Sequence, residues 1–422
     1  MVKFTYELLY GKSKRQFSIS ANSPPSVIEP KLIPASPAPM EVVDHALDNP
    51  VGSFDFQNFR NAKSVAIAIN DKTRPVPYQY MLPPLLKRLL SIGVRQEDIS
   101  FYIATGTHAP LSRDEFASIL PVEMLEDFRV VVHDCGNEDL LLSIGYTHYG
   151  TPVYVNRNFF LSELKIVTGN IEPHHFMGFS GGAKSASIGL TGRRTINHNH
   201  AMLTNPNARI GEFSHNPMRQ DVEEIGNMIG VQLALNVILN NDKQIVAAYA
   251  GDPRSVMYAG TPMCRQICQV KVPKTYDIVI VSPGGHPKDI NLYQSQKALT
   301  NASQIVKDGG VIILAAACPE GSGSTSFEAF MVGLSSCKDV FEKFKQMGFS
   351  VGPHKAFQIA KIAERAKIIL VSEMEPELVK RFLITPCDTI DAAVQMSMSN
   401  CAQDPDIAIL PRAINTIPLL SE

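Results

Sequence analysis

The side chains best suited to chemistry are concentrated in one segment of the chain, between positions 169 and 200. They are, in chain order, His174, His175, Ser180, Gly181, Gly182, Lys184 and His200. Small residues let the main chain approach a phosphate closely, and a lysine among them adds a compact cation. We therefore predict an active site in this segment, where an anionic cofactor binds against backbone N–H groups.

A predicted strand over residues 164–168 leads into this segment. Its apolar, β-branched run is typical of a buried strand, and ligands of open α/β sheets bind at the carboxyl ends of such strands. The segment is not a Walker loop, because the Gly-Lys-Ser/Thr ending is absent, and it lacks the G-x-G-x-x-G dinucleotide pattern. An ordinary glycine-rich turn with a solvated lysine is the structural alternative.

Polar residues also follow two earlier predicted strands. Asp71 and Arg74 come directly after the strand at 64–70, and His108 follows the strand at 99–104. An imidazole can take and return a proton at neutral pH. An arginine fork can bind both oxygens of a carboxylate. These loops therefore add a candidate acid or base and a candidate carboxylate ligand, although each alone could be a plain turn.

The second half of the chain repeats the pattern of a strand followed by polar residues. A predicted strand at 278–282 is followed by a glycine pair and then by Tyr293, Gln294 and Lys297. Lys297 is a second candidate for binding a carboxylate. Because function on such sheets lies in the loops at strand ends, we predict that all these loops belong to one site.

The order of the predicted elements indicates the α/β class, with two α/β domains and mainly parallel sheets. Predicted strands of the first domain cover residues 64–70, 99–104, 130–133 and 164–168, and predicted helices among them cover residues 81–92 and 113–119. Predicted strands of the second domain cover residues 278–282, 310–315 and 367–372. The alternation breaks near residues 269–274, so we predict domains at 1–268 and 275–422.

The start of the first domain has a different character. Residues 4–10 and 15–19 flank a Gly-Lys-Ser-Lys turn, which predicts a β-hairpin. Residues 24–39 are rich in proline and predict an extended strap on the surface of the domain.

Composition favours a small-molecule partner. The chain has 422 residues, a net charge of -2 and 19% charged residues, so it presents no basic field for nucleic acid. Its seven cysteines are scattered, and Cys264 and Cys268 lack the second pair of a zinc site, so we expect reduced thiols. No stretch is apolar enough for a membrane and no targeting segment is visible, so we expect a cytoplasmic location.

The spacing of the histidines does not by itself decide whether the protein binds a metal. His198 and His200 are two positions apart and do not share a helix face, so no protein-only tetrahedral cage is expected. One alternative is a zinc-dependent hydrolase or lyase that uses these two residues with His174 and His175. Another is a non-enzymatic small-molecule sensor. A single imidazole such as His200 could instead bind a soft or borderline metal whose other ligands come from elsewhere.

Taken together, the motifs resemble the nickel-dependent lactate racemase family. They are Asp71-x-Thr-Arg74-Pro-Val-Pro, Gly106-x-His108-x-Pro, Glu172-x-His174-x-Phe-x-Gly-Phe-Ser-Gly-Gly-x-Lys184-Ser, Asn199-His200, Gly284-Gly-x-Pro and Tyr293-Gln294-x-x-Lys297. The similarity extends in the same order over nearly the whole chain. It implies two α/β domains with the active site in the cleft between them.

The resemblance implies a cofactor, a nickel-pincer nucleotide: a pyridinium mononucleotide whose two thiocarbonyl arms hold nickel through sulfur, carbon and sulfur. Lys184 matches the lysine that is joined to it as a thioamide, and His200 matches the protein ligand of nickel. The turn of Ser180, Gly181 and Gly182 would receive its phosphate. Cofactor-synthesis enzymes would then be needed for activation.

The resemblance also implies a reaction, racemisation or epimerisation at C2 of a 2-hydroxy acid by proton-coupled hydride transfer. His108 and His174 match the pair that exchanges the hydroxyl proton, with one base for each face of the substrate. The positions that match the family's carboxylate-binding residues are Arg74, Gln294 and Lys297, with Asp71 and Tyr293 beside them. Of these two, Tyr293 is expected to contact the substrate and Asp71 the cofactor.

Three departures from the family pattern concern the substrate. Ala183 precedes Lys184 and Ala109 follows His108, where basic residues are expected in lactate enzymes. The chain has no tryptophan, so an indole expected in the second domain is replaced, near His354. The residues that match the cofactor positions are unaffected, and the identity of the 2-hydroxy acid stays open.

Overall fold

The computed structural model of the protein describes residues 1–399, 401 and 404–421. The chain divides into two compact units. The central unit is Leu32–Ile267, and the terminal unit combines Met1–Lys31 with the chain from Cys268 onward. In the described part of the chain, no helix has the length and apolar character needed to cross a bilayer.

The described residues form the following elements. The strands are β1 (Val2–Tyr10), β2 (Ser13–Ala21), β3 (Ser26–Val27), β4 (Val65–Asn70), β5 (Ile99–Ala104), β6 (Arg129–Val132), β7 (Leu141–Tyr146), β8 (Pro152–Asn156), β9 (Leu164–Asn170), β10 (Pro173–His174), β11 (Gly178–Phe179), β12 (Leu233–Leu239), β13 (Ile245–Gly251), β14 (Gln269–Val272), β15 (Tyr276–Val281), β16 (Val306–Ala315), β17 (Lys367–Val371), β18 (Thr385–Cys387), β19 (Ile407–Leu410) and β20 (Ile417–Leu420). The α-helices are α1 (Pro39–Asp48), α2 (Tyr78–Ser91), α3 (Val122–Asp127), α4 (Arg157–Leu161), α5 (Lys184–Ser187), α6 (Arg193–Ala201), α7 (Pro217–Ile229), α8 (Pro253–Cys268), α9 (Leu292–Ala302), α10 (Thr325–Met331), α11 (Cys337–Met347), α12 (Pro353–Ala363), α13 (Pro376–Arg381) and α14 (Ile390–Met398).

The central unit is built on a sheet in the order β13-β12-β9-β4-β5-β6. Its pairs are parallel except for β12 with β13. The apolar runs of β4 and β9 are buried along almost their whole length, as parallel strands covered on both faces must be. Their carboxyl ends lie at the same edge of the sheet, so the loops that follow β4, β5 and β9 emerge together.

Helix α2 shows how the sheet is covered. Met81, Leu82, Leu85 and Leu89 recur at helical spacing and are fully buried in the same core as the strand residue Ile67. Burying one such side chain contributes about 1.5–3 kcal/mol. This packing fixes the carboxyl end of β4 against a rigid helix.

The terminal unit has a parallel sheet in the order β18-β17-β16-β15-β19-β3. The β1–β2 hairpin packs on it, because Leu8, Phe17 and Ile19 belong to the same buried cluster as Ile280 and Ile313. The predicted first domain, 1–268, is therefore wrong at its beginning. Residues 1–31 pack with the second set of strands, since the apolar face of the hairpin is buried there.

Most predicted elements are confirmed, including the hairpin and every predicted strand, to within a few residues at each end. Three predicted segments differ in detail from the structure. Residues 113–119 form a 3-10 helix over Arg113–Ser118 where a helical stretch was predicted. The predicted break at 269–274 contains β14, which pairs in parallel with β20. The proline-rich stretch 24–39 contains the short strand β3, which pairs with β19.

Candidate active site

The loop after β4 holds a buried carboxylate. Asp71 is 3% exposed, and its Oδ1 accepts hydrogen bonds from the hydroxyl of Thr73 at 2.7 Å and from the Thr73 N–H at 3.1 Å. Its Oδ2 lies 2.5 Å from Nδ1 of His108, which is carried by the loop after β5. The structure therefore joins two of the predicted site residues into one pair.

The charge state of Asp71 decides which member of this pair donates the hydrogen bond. Burial by itself would raise the pKa of Asp71, but the hydrogen bond and charge of His108, the Thr73 hydroxyl and the charge of Arg74 outweigh it. The net pKa of Asp71 is below its ordinary value, so the group is a carboxylate at neutral pH. Its partner atom, Nδ1 of His108, must then carry a proton and donate it.

The segment after β9 turns back on itself in a small hairpin. His174 of β10 pairs with Gly178 of β11, and the side chain of His174 is buried, with 7% exposed. Its Nδ1 accepts the Met177 N–H at 3.2 Å. The rings of His174 and His175 stack at 4.8 Å, and Phe176 contacts His174 at 4.6 Å.

Lys184 begins the short helix α5, just beyond the glycine turn. Its pKa is lowered to about 7, first by burial and then by the positive charges of Arg74 and Arg219. The negative charges of Glu172 and Asp71 oppose this shift. A large fraction of the amine is therefore neutral at physiological pH, which is the form that acts as a nucleophile.

His200 lies in the last turn of α6 and is partly buried. Its pKa is lowered to about 3, first by burial and then by the charge of Lys184, with a backbone hydrogen bond to Ile196 opposing the shift. The ring of Phe176 lies 5.2 Å from it. His200 is therefore a neutral imidazole, the form that binds a metal ion.

A buried network fixes the helix that carries His200. Asp221 of α7 accepts hydrogen bonds from Thr147 at 2.6 Å, from Thr151 at 2.9 Å and from the side-chain amide of Asn199 at 2.8 Å. Thr195 adds a hydrogen bond to the carbonyl of Pro152 at 2.7 Å. Because helix propensity alone does not hold such a short segment, these bonds set the position of α6.

The glycine turn is held by hydrogen bonds within the protein. The Ser180 N–H donates to the carbonyl of Glu172 at 2.8 Å, and the Gly182 N–H donates to Oδ1 of Asn236 at 2.6 Å. Both amides are therefore already used within the protein, and that this turn receives a phosphate stays a prediction. A Cβ on Gly181 or Gly182 would meet the protein itself, within 2.9 Å and 2.7 Å, so close packing requires these glycines.

What the turn does offer a ligand is a hydroxyl. The Oγ atom of Ser180 is buried and has no hydrogen-bond partner among the described residues. Such an atom is costly to bury unless something hydrogen-bonds to it. The side chain of Ser180 is therefore suited to bind a ligand, and its place in the site stays a prediction.

The sequence did not reveal Arg219, which shapes the turn. This residue of α7 is fully buried and donates to the carbonyls of Phe179 and Gly181, each at 3.1 Å, and to Glu223. Its spacing of four from Glu223 in an amphipathic helix was the available signal. Asn236 was also missed, although an amide within an apolar strand is itself a signal of a buried polar role.

In the terminal unit, the predicted substrate residues share helix α9. Asn291 caps this helix by accepting the Gln294 N–H at 3.0 Å. The ammonium of Lys297 donates to Oε1 of Gln294 at 2.7 Å, so these two side chains form one polar group. Tyr293, on the same helix, contacts His354 at 5.7 Å between ring centroids. This is the region where a tryptophan was expected.

Sequence reasoning also missed Lys355, which supports the same helix. It is 1% exposed, and its ammonium donates to Oε1 of Gln296 at 2.9 Å and lies 4.9 Å from the centre of the Tyr293 ring. A cation over an aromatic face is attracted to it. No feature of its sequence context distinguished it from a solvated lysine.

Within the central unit, the structure brings the predicted residues into electrostatic contact. Asp71 pairs with His108, Arg74 and Asp71 act on Lys184, and Lys184 acts on His200. In the described part of the chain, no group of three or more His, Cys, Asp or Glu side chains could hold a metal ion. That Tyr293, Gln294 and Lys297 join this group stays a prediction.

This fold, with its polar loops at the carboxyl ends of parallel strands, is that of a two-domain α/β enzyme for a small molecule. Family models described as the lactate racemase N-terminal domain and C-terminal domain match residues 10–211 and 271–417. The chain belongs to the lactate racemase family and is an isomerase. The zinc-dependent hydrolase or lyase and the non-enzymatic sensor are therefore set aside.

Individual relatives support this assignment. A lactate racemase of Thermoanaerobacterium thermosaccharolyticum is 31% identical over 420 residues, covering 97% of this chain and 98% of that protein. A lactate racemase of Lactiplantibacillus plantarum is 29% identical over 384 residues, covering 89% and 90%. The solved lactate racemase apoprotein from T. thermosaccharolyticum is similar with a TM-score of 0.92, at 30% identity, covering 99% of this chain and 100% of that one.

A more distant solved structure shares the fold alone. A protein from Thermotoga maritima matches with a TM-score of 0.66 at 17% identity, covering 92% of this chain and 100% of that one. The predicted α/β class with mainly parallel sheets and two domains is confirmed by the structure and by its likeness to the lactate racemase apoprotein.

Proposed function

We propose that this chain inverts C2 of a 2-hydroxy acid, lactate or a close relative of it, with a nickel-pincer nucleotide attached to Lys184. The observation that carries the proposal is the lowered pKa of Lys184, about 7, beside a single neutral imidazole. Family membership supports it, because two similar proteins are named lactate racemases.

The residues present fit such a cofactor. The buried Ser180 hydroxyl has no partner among the described residues, as expected of a group that binds a phosphate. The described chain offers no cluster of metal ligands, so nickel at His200 needs donors that the cofactor itself provides. Lys184 would hold the cofactor covalently, His200 would bind its nickel, and Ser180 would bind its phosphate. When bound, the cofactor would supply a reversible hydride acceptor for C2 of the substrate.

The protein's own residues take up the substrate's hydroxyl proton and bind its carboxylate. Nε2 of His108 takes the substrate's hydroxyl proton, and Asp71 faces the positive charge that then develops on the ring. Arg74, Lys297 and Gln294 bind the substrate carboxylate and keep it fixed while C2 inverts, which is a positioning effect. The second catalytic histidine is His174, and Tyr293 lies beside the carboxylate.

One of the departures from the family pattern lies against helix α7. Ala183 is buried, and a Cβ built on Gly226 of α7 would lie only 2.3 Å from the Ala183 Cβ, so this contact requires glycine at position 226. Because the departures concern the substrate, we propose a panel of 2-hydroxy acids of increasing size to identify it.

The test is the intact mass of protein produced together with the cofactor-synthesis enzymes, which we propose as its partners in the cytoplasm. We expect a covalent adduct on the wild-type chain and none on Lys184→Ala. The matched control is Lys165→Met, which changes another lysine whose pKa is lowered by burial and which lies on β9. An adduct on Lys184→Ala, or its loss from the control alone, contradicts the assignment.

A substrate label gives a second test. With loaded enzyme, a 2-hydroxy acid deuterated at C2 should keep its deuterium in the inverted product. Simple abstraction of a proton from C2 would instead wash the label into water. Rapid wash-out therefore contradicts the proposed reaction, while leaving the assignment to the family intact.

A further inference from the structure

Three elements of the central unit meet at one buried carboxylate. Asp221 of α7 is fully buried, and its Oδ1 accepts the hydroxyl of Thr147 at 2.6 Å. Its Oδ2 accepts the hydroxyl of Thr151 at 2.9 Å and the side-chain amide of Asn199 at 2.8 Å. The two threonines lie in the turn between β7 and β8, and Asn199 lies in α6. Because burying a carboxylate is costly unless hydrogen bonds satisfy it, these bonds hold the turn, α6 and α7 together.

The side chain of Asn199 is bound to α7 at two points. Its Nδ2 atom donates to the carbonyl of Met218 at 2.9 Å as well as to Asp221. Met218 and Asp221 both belong to α7, so both N–H bonds of the amide are directed at the same helix. Two such contacts oppose any rotation of α6 about its own axis.

The side-chain oxygen of Asn199 shows that stability alone does not account for this residue. Asn199 is fully buried, and its Oδ1 has no hydrogen-bond partner among the described residues. A buried acceptor without a partner is costly, and an apolar side chain of the same shape would avoid that cost. The feature that only the amide supplies is its pair of donors to α7.

The next residue in the chain is His200, the proposed ligand of nickel. Both residues lie in the last turns of α6, which ends at Ala201. An α-helix has about 3.6 residues per turn, so successive side chains point about 100° apart around its axis. The rotation that the Asn199 amide fixes therefore also fixes the direction in which the His200 ring leaves the helix. A metal ligand needs such support to keep its donor atom in place.

We propose that Asn199 and Asp221 are positioning residues for nickel binding by His200. The two threonine hydroxyls orient the Asp221 carboxylate, the carboxylate holds the Asn199 amide, and the amide fixes the last turns of α6. This inference rests on the proposed function and deepens it, because it assigns the residues that support the nickel ligand. Residues with this role typically contribute about 10–100-fold to metal affinity.

Asn199→Leu tests the amide, because leucine has the same branched shape but no donor. The measurement is nickel per covalent adduct in enzyme produced with the cofactor-synthesis enzymes, after dialysis against increasing concentrations of a chelator. Intact mass gives the adduct, so loss of nickel is separated from poor loading of the cofactor. We expect nickel affinity to fall by about 10–100-fold. Nickel retention equal to that of the wild type overturns the inference.

Asp221→Asn is the conservative variant. Its amide oxygen can still accept from Asn199, and its N–H can donate to the hydroxyl of Thr147, since a hydroxyl both donates and accepts. We expect this variant to retain nickel as the wild type does, whereas Asp221→Leu should lose it as Asn199→Leu does. Equal losses in the two Asp221 variants would show that the charge matters and not the hydrogen bond, which overturns the inference.

Thr195→Val is the matched control for the stability of α6. Thr195 holds the other end of this helix, where its hydroxyl donates to the carbonyl of Pro152 at 2.7 Å. We expect this variant to lower Tm but to retain nickel. Nickel loss equal to that of Asn199→Leu would show that general loosening of α6 releases the metal, which overturns the inference.

A milder change covers the case in which Asn199→Leu does not fold. Asn199→Ser keeps one donor, so we expect a nickel affinity between those of the wild type and Asp221→Leu, and full retention overturns the inference. A wild-type chain that carries no adduct or no nickel overturns the proposed function and the inference with it. With adduct and nickel present in the wild type, the variants decide the inference alone.

Discussion

The loops after β4 and β5 and the segment after β9 control charge by opposite means. Asp71 keeps its charge, because hydrogen bonds from His108 and Thr73 outweigh the effect of burial on its pKa. Lys184 and His200 lose theirs, because burial is the largest cause of their lowered pKa values of about 7 and about 3. In the proposed function, the first region supplies charged groups to the substrate, and the second supplies neutral nitrogen atoms that bond to the cofactor.

Neighbouring loops on one sheet edge can therefore have different electrostatic roles. A neutral amine is a nucleophile and a neutral imidazole is a metal ligand, so desolvation prepares both groups for covalent or coordinate bonds. A proton acceptor works differently, since it must become charged and needs a carboxylate to face that charge.

The largest effect is expected at the desolvated lysine. Lys184→Ala should reduce racemase activity of the loaded enzyme to background, because a methyl group cannot form the covalent bond that we propose for the amine. The measurement is the rate of interconversion of the enantiomers, compared with that of Lys165→Met. Substantial activity in Lys184→Ala would show that attachment at this position is dispensable.

The next effect is expected at the desolvated imidazole. His200→Ala should release nickel from the loaded enzyme without unfolding it, since the other donors belong to the cofactor and no metal cage holds the fold together. Metal analysis and circular dichroism measure the two outcomes. His198→Ala is the matched control, because His198 lies on the same helix and hydrogen-bonds to Thr151 at 2.9 Å. Loss of the fold with the nickel would instead identify a structural metal.

A smaller effect is expected on the charged side of the comparison. Asp71→Asn should lower kcat less than His108→Ala does, because the imidazole remains but the carboxylate that faces its charge is gone. For His108→Ala a loss of about 10²–10⁴-fold is expected. Because Asp71 acts through His108, the loss should appear in kcat and in the pH profile more than in KM. A change confined to KM would indicate that Asp71 contacts the substrate instead.

Features of the fold that depend on a short stretch of sequence could be predicted, whereas features that depend on long-range packing could not. The buried strands β4, β5 and β9 were predicted because apolar runs mark parallel strands wherever they occur. The hairpin was also predicted, but its place in the terminal unit was not, because only long-range packing with residues such as Ile280 decides it. The alternation of apolar and polar residues in the hairpin indicates that one face is buried, but it does not indicate which residues cover that face.

The same distinction applies to the site. The reactive residues at loop positions, such as Asp71, His108 and Lys184, were identified from residue type and from resemblance. Arg219 and Lys355 were not, because their roles come from carbonyl and ring partners that only the tertiary structure supplies. The hydrogen bond from the Gly182 N–H to Asn236 was not predicted for a related reason, because Asn236 lies far away in the chain.

The effect of burying Lys184 on the free energy of unfolding can be measured without any cofactor. Its pKa is about 7 in the folded chain and near the ordinary lysine value of 10.5 when the chain is unfolded. Between these values the unfolded chain binds more protons, so the free energy of unfolding should rise with pH across this window. Below about pH 7 both states are protonated and this contribution no longer changes with pH.

Urea unfolding of the cofactor-free chain at about pH 7 and about pH 9.5 gives the difference in the free energy of unfolding between the two pH values. Lys184→Met should reduce the rise, whereas Lys338→Met, at a lysine that is 82% exposed, should leave it unchanged. An equal rise in both variants would mean that Lys184 is not desolvated in solution, and the contrast between the two regions would then lose its basis.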